Sequence, residues 1–149
     1  MNFHYKVQTE LIKNYESIDK LLWCEDNECV FYSANGFVGY YIPKQFFLID
    51  TRKLSEKYSP FANFTLFTNR KDDEGYKRAT ITGTKKIEEH DFAIFADGNG
   101  AEVLANTKFL KGFPKECTFD IKGKYDMIRV YLGDELCGIV CPFNQKERK

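Results

Sequence analysis

No stretch of the 149-residue chain is apolar for long enough to cross a bilayer as a helix. The opening MNFHYKVQTELIK lacks the apolar centre of a secretion signal. Five cysteines without an export signal are expected to be reduced thiols, which points to a cytoplasmic protein with no membrane contact. Net charge is missing as well, because 22 Lys and Arg balance 22 Asp and Glu. That excludes a whole-protein field gathering DNA or an anionic membrane, while leaving room for a local basic patch. The patterns GxGxxG, GxxxxGK and GxSxG do not occur, so nucleotide-binding and hydrolase readings have no foothold. Low-complexity segments and an obvious linker are absent too.

What the chain does have is aromatic and branched side chains. Its 14 Phe and 9 Tyr, with many Val, Ile and Thr, favour strands. A hydrophobic content of 43% against 30% charged excludes a disordered chain, and the length suits one domain over residues 1–149. FHYKVQ alternates like a strand. In TELIKNYESI, Leu11, Ile12, Tyr15 and Ile18 fall at helical spacing, which predicts a helix over roughly 9–18. LLWCEDNECVFYSANGFVGYYIP then reads as three strands joined by turns. Asn35-Gly36 is a hairpin signal, since both residues tolerate positive φ. FFLID predicts another strand, and Asp50 an N-cap for a helix TRKLSEKY that Pro60 ends. FTLFTN and YKRATITG flank the solvated loop RKDDEG, and FAIFA and AEVLA flank the tight turn DGNG. Asn106 is the next N-cap, opening a short helix TKFLKGF closed by Gly112 and Pro114. CTFDIKG and MIRVYL pair, and Gly133-Asp134 turns into ELCGIVCP. The expected fold is α+β and strand-dominated, with antiparallel sheets and two or three short helices.

The chain also repeats itself. FYSANGFVGYYIP and VYLGDELCGIVCP align without a gap at an offset of 99 residues, with Tyr32 on Tyr131, Gly39 on Gly138 and Pro43 on Pro142. TELIKNY lies over TKFLKGF at an offset of 98, with Lys13 on Lys111. The chain thus reads as strand-helix-strands twice, in halves of about 1–45 and 90–143, around an inserted middle 46–89.

On these residues the sequence resembles one domain of a DNA polymerase sliding clamp, in which two strand-helix-strands units are related by a pseudo-two-fold axis. FHYKVQTELIKNYESI is similar to the clamp's opening strand and helix. GAEVLANTKFLKGFPKECTFDIKG is similar to the start of the second unit, and MIRVYLGDELCGIVCPF to the closing hairpin. Clamps carry two or three such domains per chain, so a ring built from this one implies a homo-oligomer. Small single-domain proteins of this type are common in bacterial viruses, and such an origin is the expectation. The resemblance implies a non-enzymatic accessory protein of DNA replication or recombination whose helices face double-stranded DNA.

The residues that would then matter are the lysines on and after the helices. Lys13 lies on the first helix and Lys20 just beyond it; Lys108 and Lys111 lie on the later one and Lys115 after its turn. Lysines there would neutralise phosphates without reading bases, although a merely solvated helix face accounts for the same residues. A protein-interaction module or inhibitor with no DNA contact is the alternative, through a sheet edge or through Tyr40, Tyr41, Phe46 and Phe47 around Pro43. Burial of those rings between the sheet and the TRKLSEKY helix is the competing explanation. Cys24 with Cys29 and Cys137 with Cys141 have tempting spacings for zinc, but strand cysteines are commonly small buried hydrophobes, and no metal or other cofactor is expected. His90, between Glu88, Glu89 and Asp91, reads as a loop or solvated edge rather than as acid/base machinery.

Overall fold

The computed structural model describes residues 3–60 and 74–143. The chain forms two compact units, Met1–Asp72 and Asp73–Lys149. The fold is α+β and strand-dominated, and its paired strands run antiparallel.

The first unit opens with a helix, α1 (Phe3–Lys13), and not with the expected strand over FHYKVQ. Six alternating residues fit either period, and the spacing continues helically into TELIK. Phe3, Val7 and Leu11 form the buried stripe, with His4 and Gln8 beside them. The helix also stops short of the expected residue 18. At its end the Asn14 side chain donates back to the Glu10 carbonyl at 3.0 Å, and a single 3-10 turn, Tyr15–Ser17, follows. Strands β1 (Leu22–Glu25), β2 (Cys29–Ser33) and β3 (Val38–Pro43) then form a meander in that order. Every residue of β2 is buried.

FFLID is not a strand. A 3-10 turn, Lys44–Phe46, leads into irregular backbone that Gln8 holds from α1. The Gln8 amide donates to the Phe46 carbonyl at 2.9 Å and accepts from Leu48 N–H at 2.8 Å. These bonds supply the partners a ladder would otherwise give. Asp50 caps α2 (Thr51–Lys57) as expected, accepting from Arg52 N–H at 2.9 Å. Past α2, the Trp23 indole donates to the Tyr58 carbonyl at 2.7 Å, so the ring is buried with its N–H satisfied. The expected strand FTLFTN and the first part of RKDDEG lie outside the described residues.

The second unit contains β4 (Lys77–Ile87), β5 (His90–Ala96), β6 (Glu102–Asn106), β7 (Thr118–Ile121), β8 (Ile128–Leu132) and β9 (Glu135–Val140). They lie side by side in the order β9-β8-β7-β4-β5-β6. Phe95, Ile121, Ile128, Val130, Cys137 and Val140 are fully buried, and Phe95 meets Phe119 edge-on at 4.9 Å. DGNG turns tightly as expected: the Asp97 carboxylate accepts from Asn99 N–H at 2.7 Å.

The two similar hairpins share their architecture but not their register. In β2–β3, Tyr32 faces Tyr40 across a loop of residues 34–37. In β8–β9, Tyr131 faces Leu136 across the two-residue turn Gly133-Asp134. At the sequence offset of 99 the counterpart of Tyr40 is Ile139, which pairs with Arg129 instead. The ungapped alignment therefore does not carry through the turn, and a bulge between Val130 and Tyr131 changes the register of the second ladder by one residue.

Candidate nucleic-acid interface

Of the lysines singled out by sequence, Lys13 and Lys20 belong to the first unit, and Lys108, Lys111 and Lys115 to the second. All five are exposed. Lys13 occupies the last turn of α1, where a cation also offsets the partial negative charge of the helix end. The helix expected over TKFLKGF is a single 3-10 turn, Thr107–Leu110, because too few residues separate the cap from Gly112 and Pro114 for a nucleated α-helix. Its cap is the expected one: the Asn106 side chain accepts from Lys108 N–H at 3.1 Å. The Lys108 ammonium sits 5.2 Å over the Phe109 ring, and Lys111 follows directly.

The aromatic stretch packs largely inward, with α1 covering Tyr40 and Phe46 through Phe3, His4 and Tyr5. Tyr41 is buried on Phe31, with centroids 4.9 Å apart. Half-buried Tyr40 touches Tyr32 at 5.6 Å and Phe3 at 6.1 Å. Phe46 stacks on His4 at 5.6 Å and meets Tyr5 edge-on, while Phe47 leans on Tyr32. Solvent instead reaches Tyr5 (37% exposed), Leu48 (54%) and Ile12 (47%), the last of which the sequence put on the apolar spacing of the helix.

None of the five cysteines forms a disulfide. Burial is the largest cause of the rise in the Cys24 pKa to about 12, with Cys29 next, and burial likewise raises Cys137 strongly. Such thiols resist becoming the thiolates that zinc requires. Among the described residues no group of three or more His, Cys, Asp and Glu is placed to hold a metal ion. Glu88 and Glu89 form the turn between β4 and β5, both at positive φ (49° and 72°), and His90 opens β5 exposed to solvent.

Strand pairing assembles a group that motif reading missed. On one face of the second unit, Arg78 of β4, Asp120 of β7 and Arg129 of β8 stand in one cross-strand row. Arg78 Nε lies 2.7 Å from the Asp120 carboxylate. The Arg129 guanidinium stacks 4.0 Å over the Tyr76 ring, and the Lys122 ammonium stands 5.8 Å from the same ring. Arg78 lies 5.8 Å over Tyr131. The Tyr76 hydroxyl donates to the Met127 carbonyl at 3.0 Å. Burial raises the Tyr76 pKa, against the opposing charge of Arg129. The row is thus an ion pair flanked by two cation–ring contacts, and Arg129 within it is buried. The available sequence signal was Tyr76-x-Arg78 and Arg129-x-Tyr131, each an i, i+2 pair that a strand puts on one face. No helix among the described residues is long and apolar enough to cross a membrane.

No protein-family model, curated protein or solved structure matches the chain.

Proposed function

We propose that the protein is a non-enzymatic, clamp-like accessory factor of DNA replication or recombination, of bacterial-virus type. It docks on duplex DNA through phosphate contacts that read no bases. The observation that supports this best is the run of exposed lysines Lys108, Lys111 and Lys115 on and after one turn of the second unit. Lys13 and Lys20 offer cations on the first. The test is fluorescence anisotropy with a labelled duplex of about 20 base pairs over a salt series. Binding should tighten steeply as salt falls. Lys108→Gln/Lys111→Gln should reduce the slope of log affinity against log salt by about 2, equally for unrelated sequences. Absence of binding at about 20 mM salt removes the duplex reading.

A second reading, a protein-interaction module without DNA contact, is favoured by exposed Leu48, Tyr5 and Ile12. Mass in solution separates the two. A closed ring of copies supports the clamp-like reading, and a monomer that ignores duplex DNA supports the interaction module.

A further inference from the structure

We propose that Asn99 is a site of spontaneous covalent modification, at which the side-chain amide is lost to attack by the backbone nitrogen of Gly100. Asn35 carries the same Asn-Gly sequence and keeps its amide. The proposal is independent of the function above, since it involves none of the lysines.

The chemistry follows from the dipeptide. A glycine has no Cβ to keep its backbone nitrogen away from the side chain before it. The Gly100 nitrogen bonds to Cγ of Asn99 and closes a succinimide ring. Hydroxide takes the Gly100 amide proton. The bond from Cγ to Nδ2 breaks, and that nitrogen takes a proton from water and leaves as ammonia. Water then adds at either ring carbonyl and opens the ring. One opening gives aspartate, and the other gives isoaspartate, whose main chain runs through Cβ. The sum is amide plus water to acid plus ammonia, with nothing oxidised or reduced.

The sequence offers this chemistry at Asn35-Gly36 and at Asn99-Gly100. All four residues are exposed, and both glycines have positive φ (80° and 98°). Among the described residues no heavy atom stands within 4 Å of where a Cβ would sit on either glycine. Access therefore does not separate the two pairs. Hydrogen bonding does. Gly36 N–H donates to Ser33 Oγ at 3.0 Å, which occupies the attacking nitrogen. Ser33 is buried, and its hydroxyl is fixed by donating to the Val38 carbonyl at 2.7 Å. The Asn35 amide is held as well, its Oδ1 accepting from Phe37 N–H at 2.8 Å and from Val38 N–H at 3.0 Å. These bonds fix the side-chain torsion that has to turn before Cγ can face the nitrogen.

Asn99 has no such restraint. Its side chain and the Gly100 N–H make no hydrogen bond among the described residues. The turn is held by Asp97, whose carboxylate accepts from Asn99 N–H at 2.7 Å and Ala101 N–H at 3.2 Å and leaves the reacting pair out. Asp97 itself precedes Gly98, but those two bonds engage its carboxylate, and an ionised carboxylate is a poor acyl group. Conversion at Asn99 adds one carboxylate to the 22 acidic residues that balance 22 basic ones, so converted chains carry a net negative charge.

The full-length protein is incubated in mildly alkaline buffer with reductant and sampled over time. Anion exchange resolves the more acidic species, and peptide mapping by mass spectrometry locates aspartate and isoaspartate. Asn99 should convert at least about 10-fold faster than Asn35, whose three hydrogen bonds must break first. Asn99→Gln, whose longer side chain closes a larger ring more slowly, should remove the early acidic species. Ser33→Ala should speed conversion at Asn35 by about 3-fold or more and leave the Asn99 rate unchanged. In urea the two rates should converge, because the dipeptides are the same and only the fold distinguishes them. If Ser33→Ala fails to fold, the urea comparison supplies the same release of Asn35. The proposal is overturned by any of three results: Asn35 converting as fast as Asn99 in the folded protein, Asn99 converting no faster than Asn27, which no glycine follows, or a gap between Asn99 and Asn35 that persists in urea.

Discussion

Gln8 is the residue on which the start of the first unit turns. It is fully buried, and its amide makes three hydrogen bonds. It donates to the His4 carbonyl at 2.6 Å and the Phe46 carbonyl at 2.9 Å, and it accepts from Leu48 N–H at 2.8 Å. An apolar replacement of similar size leaves the Phe46 carbonyl and the Leu48 N–H without those partners. Gln8→Leu is therefore expected to lose about 2–4 kcal/mol, read as a lower urea midpoint with an unchanged slope. Tyr32 is the opposite case. Its hydroxyl is buried among rings and has no hydrogen-bond partner among the described residues, a desolvation cost with nothing returned. Tyr32→Phe removes only that oxygen and should be neutral or stabilising by about 1 kcal/mol, in the same urea titration. A clear loss of stability in Tyr32→Phe would show that the hydroxyl is satisfied in solution. Neither role is visible in the sequence. A glutamine at position 8 of the chain looks like a surface residue until the chain returns to it at Phe46, and the partner of a tyrosine hydroxyl depends on the fold.

At the level of elements, the sequence told strands from loops better than it told helices from strands. The meander of β1 to β3, the DGNG turn, the Asp50 and Asn106 caps and the Gly133-Asp134 turn were legible, because each depends on local backbone chemistry. FHYKVQ was misread because Phe3, Tyr5 and Val7 alternate while Phe3, Val7 and Leu11 also share a helical stripe; packing chose the stripe. Gly39 shows what lies between these cases. Its place in a strand is local information. Its reason is tertiary, since a Cβ there would stand 2.3 Å from the Phe31 ring. The cation-ring face was hidden for a related cause: β4 and β7 are far apart in sequence, and only their pairing joins Arg78 to Asp120. One element is built against its own local preference. The β4–β5 hairpin turns through Glu88 and Glu89, both left-handed, where Asn-Gly is the preferred pair. Glu88→Asn/Glu89→Gly should relieve about 1–2 kcal/mol of backbone cost and raise the thermal midpoint, while leaving duplex binding unchanged. An unchanged or lower midpoint would mean that side-chain contacts of the glutamates outweigh the backbone term.

For the whole molecule, acid and alkali act through different groups. Cys24, Tyr32, Tyr76, Cys117 and Cys137 are all raised, burial being the first cause in each, so the alkaline groups occur in both units. A raised folded pKa means that the folded chain holds its proton where the unfolded chain has released it. The associated stability is present in full below the unfolded value, 9.0 for the thiols and 10.0 for the phenols, and is lost as pH rises toward the folded value. For Cys24 that window runs from 9.0 to about 12. Asp50 has the reverse sign: its bond from Arg52 N–H lowers its pKa, so its small share is present above 3.8 and lost as pH falls through the folded value. Since Asp50 is exposed, the acid contribution is slight beside the buried alkaline set. The thermal midpoint is accordingly expected to hold level from neutral pH to about 9 and then to fall, with a shallower fall in Cys24→Ala/Tyr32→Phe. Circular dichroism melts in reductant across that range measure both slopes. A wild-type midpoint that stays level well above pH 10 would mean that these groups ionise freely in the folded protein, and that solvent reaches a core the structure shows as closed.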